Sequence, residues 1–417
     1  MRILLSIFAG ICAFFLYQAP LVAQTVALDS SNLAIVVINS SQSIVDEPKI
    51  TATMGIIYNG PGVRNYITDA FNNYNGKIGI EIRGNTAQDF PKKSYGLETR
   101  DSLGNNNNVS LVGMPPENDW ILYGPYSDKS LMRNVLTYKL SNDMGRYASR
   151  TRFCELIIDG DYKGVYVLME KIKRDSNRVA IEKLEQNDLN GDALTGGYII
   201  KLDWNEREAE EGWYSSYAPY IDVFERYFFV YHSPKTPKIA NAQKDYIKDF
   251  MYDFETALIG PDFKDTLKGY ARYINVESFI DFLISVELAR NIDAYYLSTY
   301  MHKNLDSKGG KLNMGPLWDF NLSFGNAYYA DGFKTDGWQY NIAYTLDGAV
   351  IPFWWCRLLQ DTDFSAKLMS RWNDLRTGTL HLDNIMSYID SMAAYLNESQ
   401  QRNFTRWPTL GEEVWPN

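Results

Sequence analysis

Two acids, Asp293 and Asp319, stand 26 positions apart (319 − 293), each inside an apolar neighbourhood. The stretch from Phe279 to Asn326 reads FIDFLISVELARNIDAYYLSTYMHKNLDSKGGKLNMGPLWDFNLSFGN. It predicts an apolar helix that ends at Asp293, an extended aromatic segment, a Gly-Gly turn, and a second extended segment ending at Asp319. A carboxylate withdrawn from water is costly unless it is paired, hydrogen-bonded or bound to a metal. Either acid alone would suit a helix cap or a turn. Two of them bracketing one hairpin point to a single site of acid–base or metal chemistry.

Three other constellations carry charge at element ends. In IRGNTAQDFPKKSYGLE, a strand ends in the turn Arg83-Gly84-Asn85-Thr86 and the next begins near Lys92-Lys93. Such a turn, with backbone N–H groups and nearby lysines, can hold phosphate oxygens. The segment has neither the G-x-x-x-x-G-K-[ST] nor the G-x-G-x-x-G spacing. Period-two alternation groups Lys93 with Tyr95 and Leu97 and makes Lys93 the better inward cation, although a solvated lysine pair also fits. In VYVLMEKIKR an apolar strand ends at Glu170, an edge that can receive a planar base or simply meet solvent. In YSDKSLMRNVL, Ser127 or Asp128 caps a helix and Arg133 lies one turn in, placed for a phosphate, a carboxylate or a surface ion pair.

The elements that must position these groups follow from turn signals and periodicity. LAIVVINS, KITATMGIIYNG, KIGIEIRG and KKSYGLETR predict an antiparallel meander. Apolar residues at helical spacing predict a helix over 128–144, stopped by Gly145. TRFCELIIDG and YKGVYVLMEKI, joined at Asp159-Gly160, predict a hairpin. GGYIIKLD and ERYFFVYHSP read as strands and NEREAEEGW as a solvated loop. Helices are expected over 241–259 and 276–290, after Pro352, and over about 380–401. A β-rich first half before a helix-rich second half is an α+β, two-lobed layout.

Composition narrows the class. With 45% hydrophobic and 22% charged residues, the 417-residue chain is that of a folded protein. Its formal charge of −10 opposes nonspecific nucleic-acid binding, which needs clustered Lys and Arg. Arg2, a short apolar run and the small residues around LVAQT predict a signal peptide over 1–24, cut after Ala23 or Gln24, and hence an extracytoplasmic protein with no stable membrane span. Loss of that leader, whose one charge is Arg2, brings the charge to −11 (−10 minus +1). Cys154 and Cys356 then remain, with pairing open. Three His leave a metal to oxygen ligands.

Six phrases in order, RGNTAQDFPKKSYGLE, MPPENDWILYGPYSDKSLMRNVL, GVYVLMEKIKR, GGYIIKLD, NIDAYYLSTY and GPLWDFNLSFGN, resemble the spore-coat protein H (CotH) kinase family over roughly residues 75–330. That resemblance implies a bilobal protein-kinase-like fold, with a β-rich lobe over 25–172 and a helix-rich lobe over 173–417. It implies ATP with Mg²⁺ or Mn²⁺, and transfer to Ser or Thr of a protein substrate. Asp293 would be the catalytic Asp and Asp319 the metal Asp. Lys93 would pair the nucleotide phosphates beneath the 83–86 turn, and Glu170 would lie near the adenine. Two departures stand out: Ser298-Thr299 replace an Asn pair, and Asn321 replaces a second Asp. Ser298 offers a hydroxyl, a weaker metal ligand, and Asn321 a neutral oxygen in place of a charged one. A non-catalytic nucleotide-binding module and a carbohydrate-binding surface protein are the competing expectations.

Overall fold

Seven of the strands close on themselves. In the computed structural model, residues 24–205, 211–219, 226–344 and 350–416 are described; the expected leader and part of the charged 205–213 stretch lie outside them. The short β1 (Ser30–Ser31) precedes β2 (Ala34–Ser40) and β3 (Ile50–Ile57). β4 (Asn65–Tyr66) pairs only with β1, and β5 (Tyr74–Arg83), β6 (Ser94–Arg100) and β7 (Asp119–Tyr123) follow. Helix α1 (Arg133–Asp143) leads to β8 (Thr151–Ile158) and β9 (Asp161–Glu170). The expected meander becomes a closed barrel in the order β2-β3-β5-β6-β7-β9-β8, because β2 pairs in parallel with β8. Its interior is filled by Val36, Ile38, Met54, Ile78, Ile80, Leu97, Trp120 and Leu168.

The β8–β9 turn shows why Asp159-Gly160 signals a hairpin. Both residues have positive φ, 52° and 77°, the backbone hand that matches strand twist and that Gly adopts without strain.

The second half is less purely helical than its sequence pattern predicts. After the single-turn α2 (Gly191–Leu194), strands β10 (Tyr198–Leu202), β11 (Gly212–Tyr214) and β12 (Phe228–Ser233) precede α3 (Asn241–Ile259) and α4 (Val276–Ala289). Strands β13 (Thr299–Lys303) and β14 (Leu312–Met314) form the expected hairpin and complete a five-stranded sheet, β11-β12-β10-β13-β14. Helices α5 (Trp354–Leu358), α6 (Thr362–Arg376) and α7 (Leu382–Arg406) end the chain. The protein is therefore a mixed α+β structure. No helix among the described residues is long and apolar enough to cross a membrane.

Helix α4 is buried on almost every side, as its continuous apolar sequence requires. Asn275 caps its start by accepting from the Ser278 N–H at 3.3 Å, and Arg290, at φ 47°, ends it. Helix α7 returns to the barrel. Asn403 accepts from Lys92 Nζ at 2.7 Å and from the Val165 N–H at 3.2 Å. Cys154 lies in the barrel and Cys356 in α5; no disulfide joins them.

Candidate active site

Asp293 does not end α4 but sits four residues beyond it, in the turn Asn291–Ser298. That turn is anchored from below: Ile292 is buried, and Tyr295 donates to Glu287 at 2.7 Å. Asp319 follows β14 by five residues. Five non-glycine residues with positive φ fall between Arg290 and Phe324, Asp319 (61°) and Ser298 (46°) among them. Backbone held in that region costs of order 1–3 kcal/mol per residue and persists only where the surroundings fix it. Around Asp319 the fixing groups are explicit. Its N–H donates to Tyr138 Oη at 3.0 Å, its carbonyl accepts from Asn291 Nδ2 at 3.2 Å, and the Phe320 N–H donates to Asn134 Oδ1 at 2.7 Å.

The electrostatics tie the two acids together. Burial pushes the Asp293 carboxyl up to about 7, and the charges of Asp319 and Asp203 push the same way. Asp319 is also raised by burial; Arg83 opposes that shift and Asp203 adds to it. Asp203, one residue past β10, is thus a third carboxylate whose charge acts on both acids, one the sequence reading passed over as a strand end. The signal was present in GGYIIKLD, an apolar strand closing on an acid. Lys201 donates to it at 2.7 Å.

A second cation, Arg83 at the end of β5, acts on Asp319. Burial lowers its pKa, while Tyr300, Asp319 and Tyr138 act to hold the charge. Its guanidinium lies 5.6 Å from the centre of the Trp318 ring, which stacks on Tyr138. Lys171, just past β9, shares these surroundings: burial lowers its pKa, Asp119 opposes, and Lys49, Lys235 and Arg83 add to the lowering.

Several expected ligands are committed elsewhere. Lys93 precedes β6 rather than lying in it, and its ammonium turns back to the Gln88 carbonyl. Lys92 is buried away from the acids; it donates to Val165 O at 2.6 Å and to Asn403. Burial pushes its pKa down to about 7, so it joins the barrel to α7. Arg133 pairs with buried Asp128 at 2.5 Å and donates to the carbonyls of Ser323 (2.9 Å) and Phe324 (3.3 Å). It therefore holds the segment after Asp319 to α1. The Gly84-Asn85-Thr86 turn does lie at the mouth of the barrel beside Arg83, with Gly84 at φ 116°, and Asn85 and Thr86 are exposed.

The Glu170 carboxylate is wholly buried and accepts from the Arg150 N–H (3.0 Å), Arg150 Nη1 (3.2 Å) and Tyr147 Oη (3.1 Å). Glu170→Ala is therefore expected to act as a structural lesion. It removes the carboxylate that Arg150 and Arg178 share, leaves the buried Arg178 with Glu117 at 3.7 Å, and lowers stability by about 3 kcal/mol in urea unfolding.

A divalent cation fits the residues present. Asn321 Oδ1, two positions past Asp319, is buried with no hydrogen-bond partner. An orphaned neutral oxygen two residues along the chain from a carboxylate is a donor type that suits Mg²⁺ or Mn²⁺. Among the described residues no three His, Cys, Asp or Glu side chains form a preformed cage, so such an ion would draw further oxygens from backbone, water or substrate. Asn321→Asp is expected to tighten Mn²⁺ binding about tenfold and Asn321→Leu to weaken it about tenfold, read from metal-dependent melting.

The family model described as CotH kinase protein matches residues 80–416. No curated protein matches the chain.

Proposed function

We propose that this chain, which belongs to the CotH kinase family, is an extracytoplasmic, metal-dependent phosphotransferase. It would move the γ-phosphoryl group of ATP to a Ser or Thr hydroxyl of a protein substrate. What supports the proposal is the match to the CotH kinase family over residues 80–416 together with three charged groups that act on one another, Asp319 on Asp293 and Arg83 on Asp319. Phosphoryl transfer asks for positioning and charge stabilisation more than covalent chemistry, and these groups supply both.

Each residue has a role in this reading. Asp293, poised near neutrality by burial, accepts or orients the proton of the acceptor hydroxyl. Asp319, with Asn321 two positions on and the hydroxyl of Ser298 from the turn that carries Asp293, would hold the metal. That ion, when bound, neutralises charge on the phosphate oxygens. Arg83 and Lys171 provide fixed positive charge toward the phosphates, and the exposed Gly84-Asn85-Thr86 turn covers them. Lys93 would join them only by leaving the Gln88 carbonyl. Secretion is supported by the apolar N-terminal pattern after Arg2.

The test is direct. The secreted protein, incubated with γ-labelled ATP and Mg²⁺ or Mn²⁺, is expected to place label on protein Ser or Thr, and Asp293→Ala or Asp319→Ala to abolish it. One observation favours a second reading, a nucleotide-binding module without transfer. Ser298 stands where the family pattern carries Asn and offers a weaker neutral ligand, and Asn321 stands where it carries Asp and offers a metal one charge less. Nucleotide binding by the wild type with no label transferred to any protein would establish that alternative.

A further inference from the structure

Resting on the phosphotransfer reading, we propose that Trp415 is a positioning residue for the nucleotide phosphates. Set between Phe90 and Tyr329, it straps the 83–90 turn to the chain beyond Asp319. The segment that carries Trp415 leaves α7 along the barrel. Trp407 Nε1 donates to the Lys163 carbonyl at 2.8 Å, and Val414 is buried with Tyr126 and Trp407. Lys129 Nζ donates to the Glu412 carbonyl at 2.7 Å, which holds the segment to the link between β7 and α1. The segment then meets the chain beyond Asp319, where the Pro416 carbonyl accepts from the Tyr328 N–H at 2.9 Å.

Trp415 touches one ring from each loop. It stacks on Tyr329, with centroids 6.0 Å apart and planes at 21°, and packs against Phe90 at 6.4 Å and 30°. Phe90 also meets Tyr126 at 5.4 Å, and Tyr126 meets Trp407 edge-to-face at 6.0 Å. A continuous run of aromatic contacts thus links the end of α7 to two loops distant in sequence, each pair adding to simple burial.

Each ring is tied to the loop it anchors. Gln88 Nε2 donates to the Gly84 carbonyl at 2.8 Å and the Asp89 N–H to the Thr86 carbonyl at 3.0 Å, so Phe90 adjoins an internally bonded turn. Beyond Asp319, Arg133 fastens Ser323 and Phe324, and Asn326 Nδ2 donates to the Asn321 carbonyl at 2.8 Å. Tyr329 follows three residues later; burial raises its phenol and the Asp293 charge adds to the rise. A turn that must cover phosphates loses affinity if it has to be ordered at each binding event. Trp415 holds it in order beforehand.

Titration of the whole protein with ATP and with adenosine, both with Mn²⁺, separates the strap from the transfer reaction. Trp415→Ala is expected to weaken ATP binding about tenfold and adenosine binding about twofold or less, and Trp415→Phe to recover most of the ATP loss. KM for ATP is expected to rise while kcat stays within about twofold. Phe90→Ala is expected to show the same selective loss, with melting measured to identify folded variants. Hydrogen exchange in the Trp415→Ala protein is expected to quicken in both 84–90 and 326–330. Unchanged or tighter ATP binding, an equal loss for ATP and adenosine, or faster exchange in only one loop would overturn the strap. Label transfer by the wild type with unchanged ATP affinity in both Ala variants upholds the transferase and overturns the strap. A selective loss of ATP affinity with no label moved to any protein upholds the strap and removes the transferase reading. Absence of ATP binding by the wild type would overturn both.

Discussion

Asp293→Asn is expected to lower phosphotransfer about 10³-fold while leaving a folded and more stable protein, the loss being in kcat rather than in KM for ATP. The amide keeps the shape of the acid and removes its capacity to accept a proton. The stability gain follows from the direction of the pKa shift. In the unfolded chain the carboxyl ionises near the usual value of about 4; in the folded, metal-free protein burial with Asp319 and Asp203 pushes it up to about 7. The folded state therefore binds the extra proton between these limits. Wild-type stability falls through that interval as pH rises, and the penalty is complete above about 7. The Asn variant lacks this fall. Melting of both proteins without metal from pH 4 to 8 is expected to show curves that coincide at the acid end and diverge toward neutrality. Parallel curves would remove the claim that a buried, uncompensated charge sits at Asp293.

Arg83→Met is expected to reduce kcat/KM for ATP about 10²-fold or more, whereas Lys93→Met costs less than about tenfold. Arg83 is held over Trp318, within reach of the Asp319 charge, so its charge is already in place when phosphates arrive. The Lys93 ammonium is engaged with the Gln88 carbonyl and would have to exchange that contact for a phosphate. Steady-state kinetics of both variants, with ATP varied, decide the order. A larger loss at Lys93 would return the phosphate-pairing role to the lysine that strand alternation singled out.

That contrast shows where sequence reading reached its limit. The alternation was sound within β6, since Tyr95 and Leu97 both face the barrel core. At Lys93 it was carried one residue beyond the strand, which begins at Ser94, and before it the chain obeys loop geometry rather than a period of two. Similarly, α1 begins at Arg133 rather than near Asp128, because Asp128 accepts from the backbone of Ser130 and Arg133 and so shapes a turn before the helix starts. Local chemistry was legible where it acts locally. The Asp159-Gly160 turn, α3, α4 and the hairpin over 299–314 follow from neighbouring residues alone. Barrel closure depends on β2 meeting β8 more than a hundred residues later, a pairing that no local pattern encodes. Asp203 was missed for the same reason: its meaning comes from Asp293 and Asp319, which only the sheet brings near.

The residues that support the site were the least readable. Tyr138 and Asn134 sit in α1 among core side chains, and each looks like packing until the backbone of Asp319 and Phe320 is seen to bond to them. The helix braces the Asp319 turn, and Arg133 fastens the segment beyond it.

Mn²⁺ offers the most direct test of the central claim, that these acids form one metal-assisted transfer cleft. Crystals grown with Mn²⁺ and a non-hydrolysable ATP analogue are expected to show an anomalous peak beside Asp319 and Asn321, with the phosphates reaching toward Arg83. A peak on another face of the molecule, or nucleotide bound away from Asp293 and Asp319, would contradict the account.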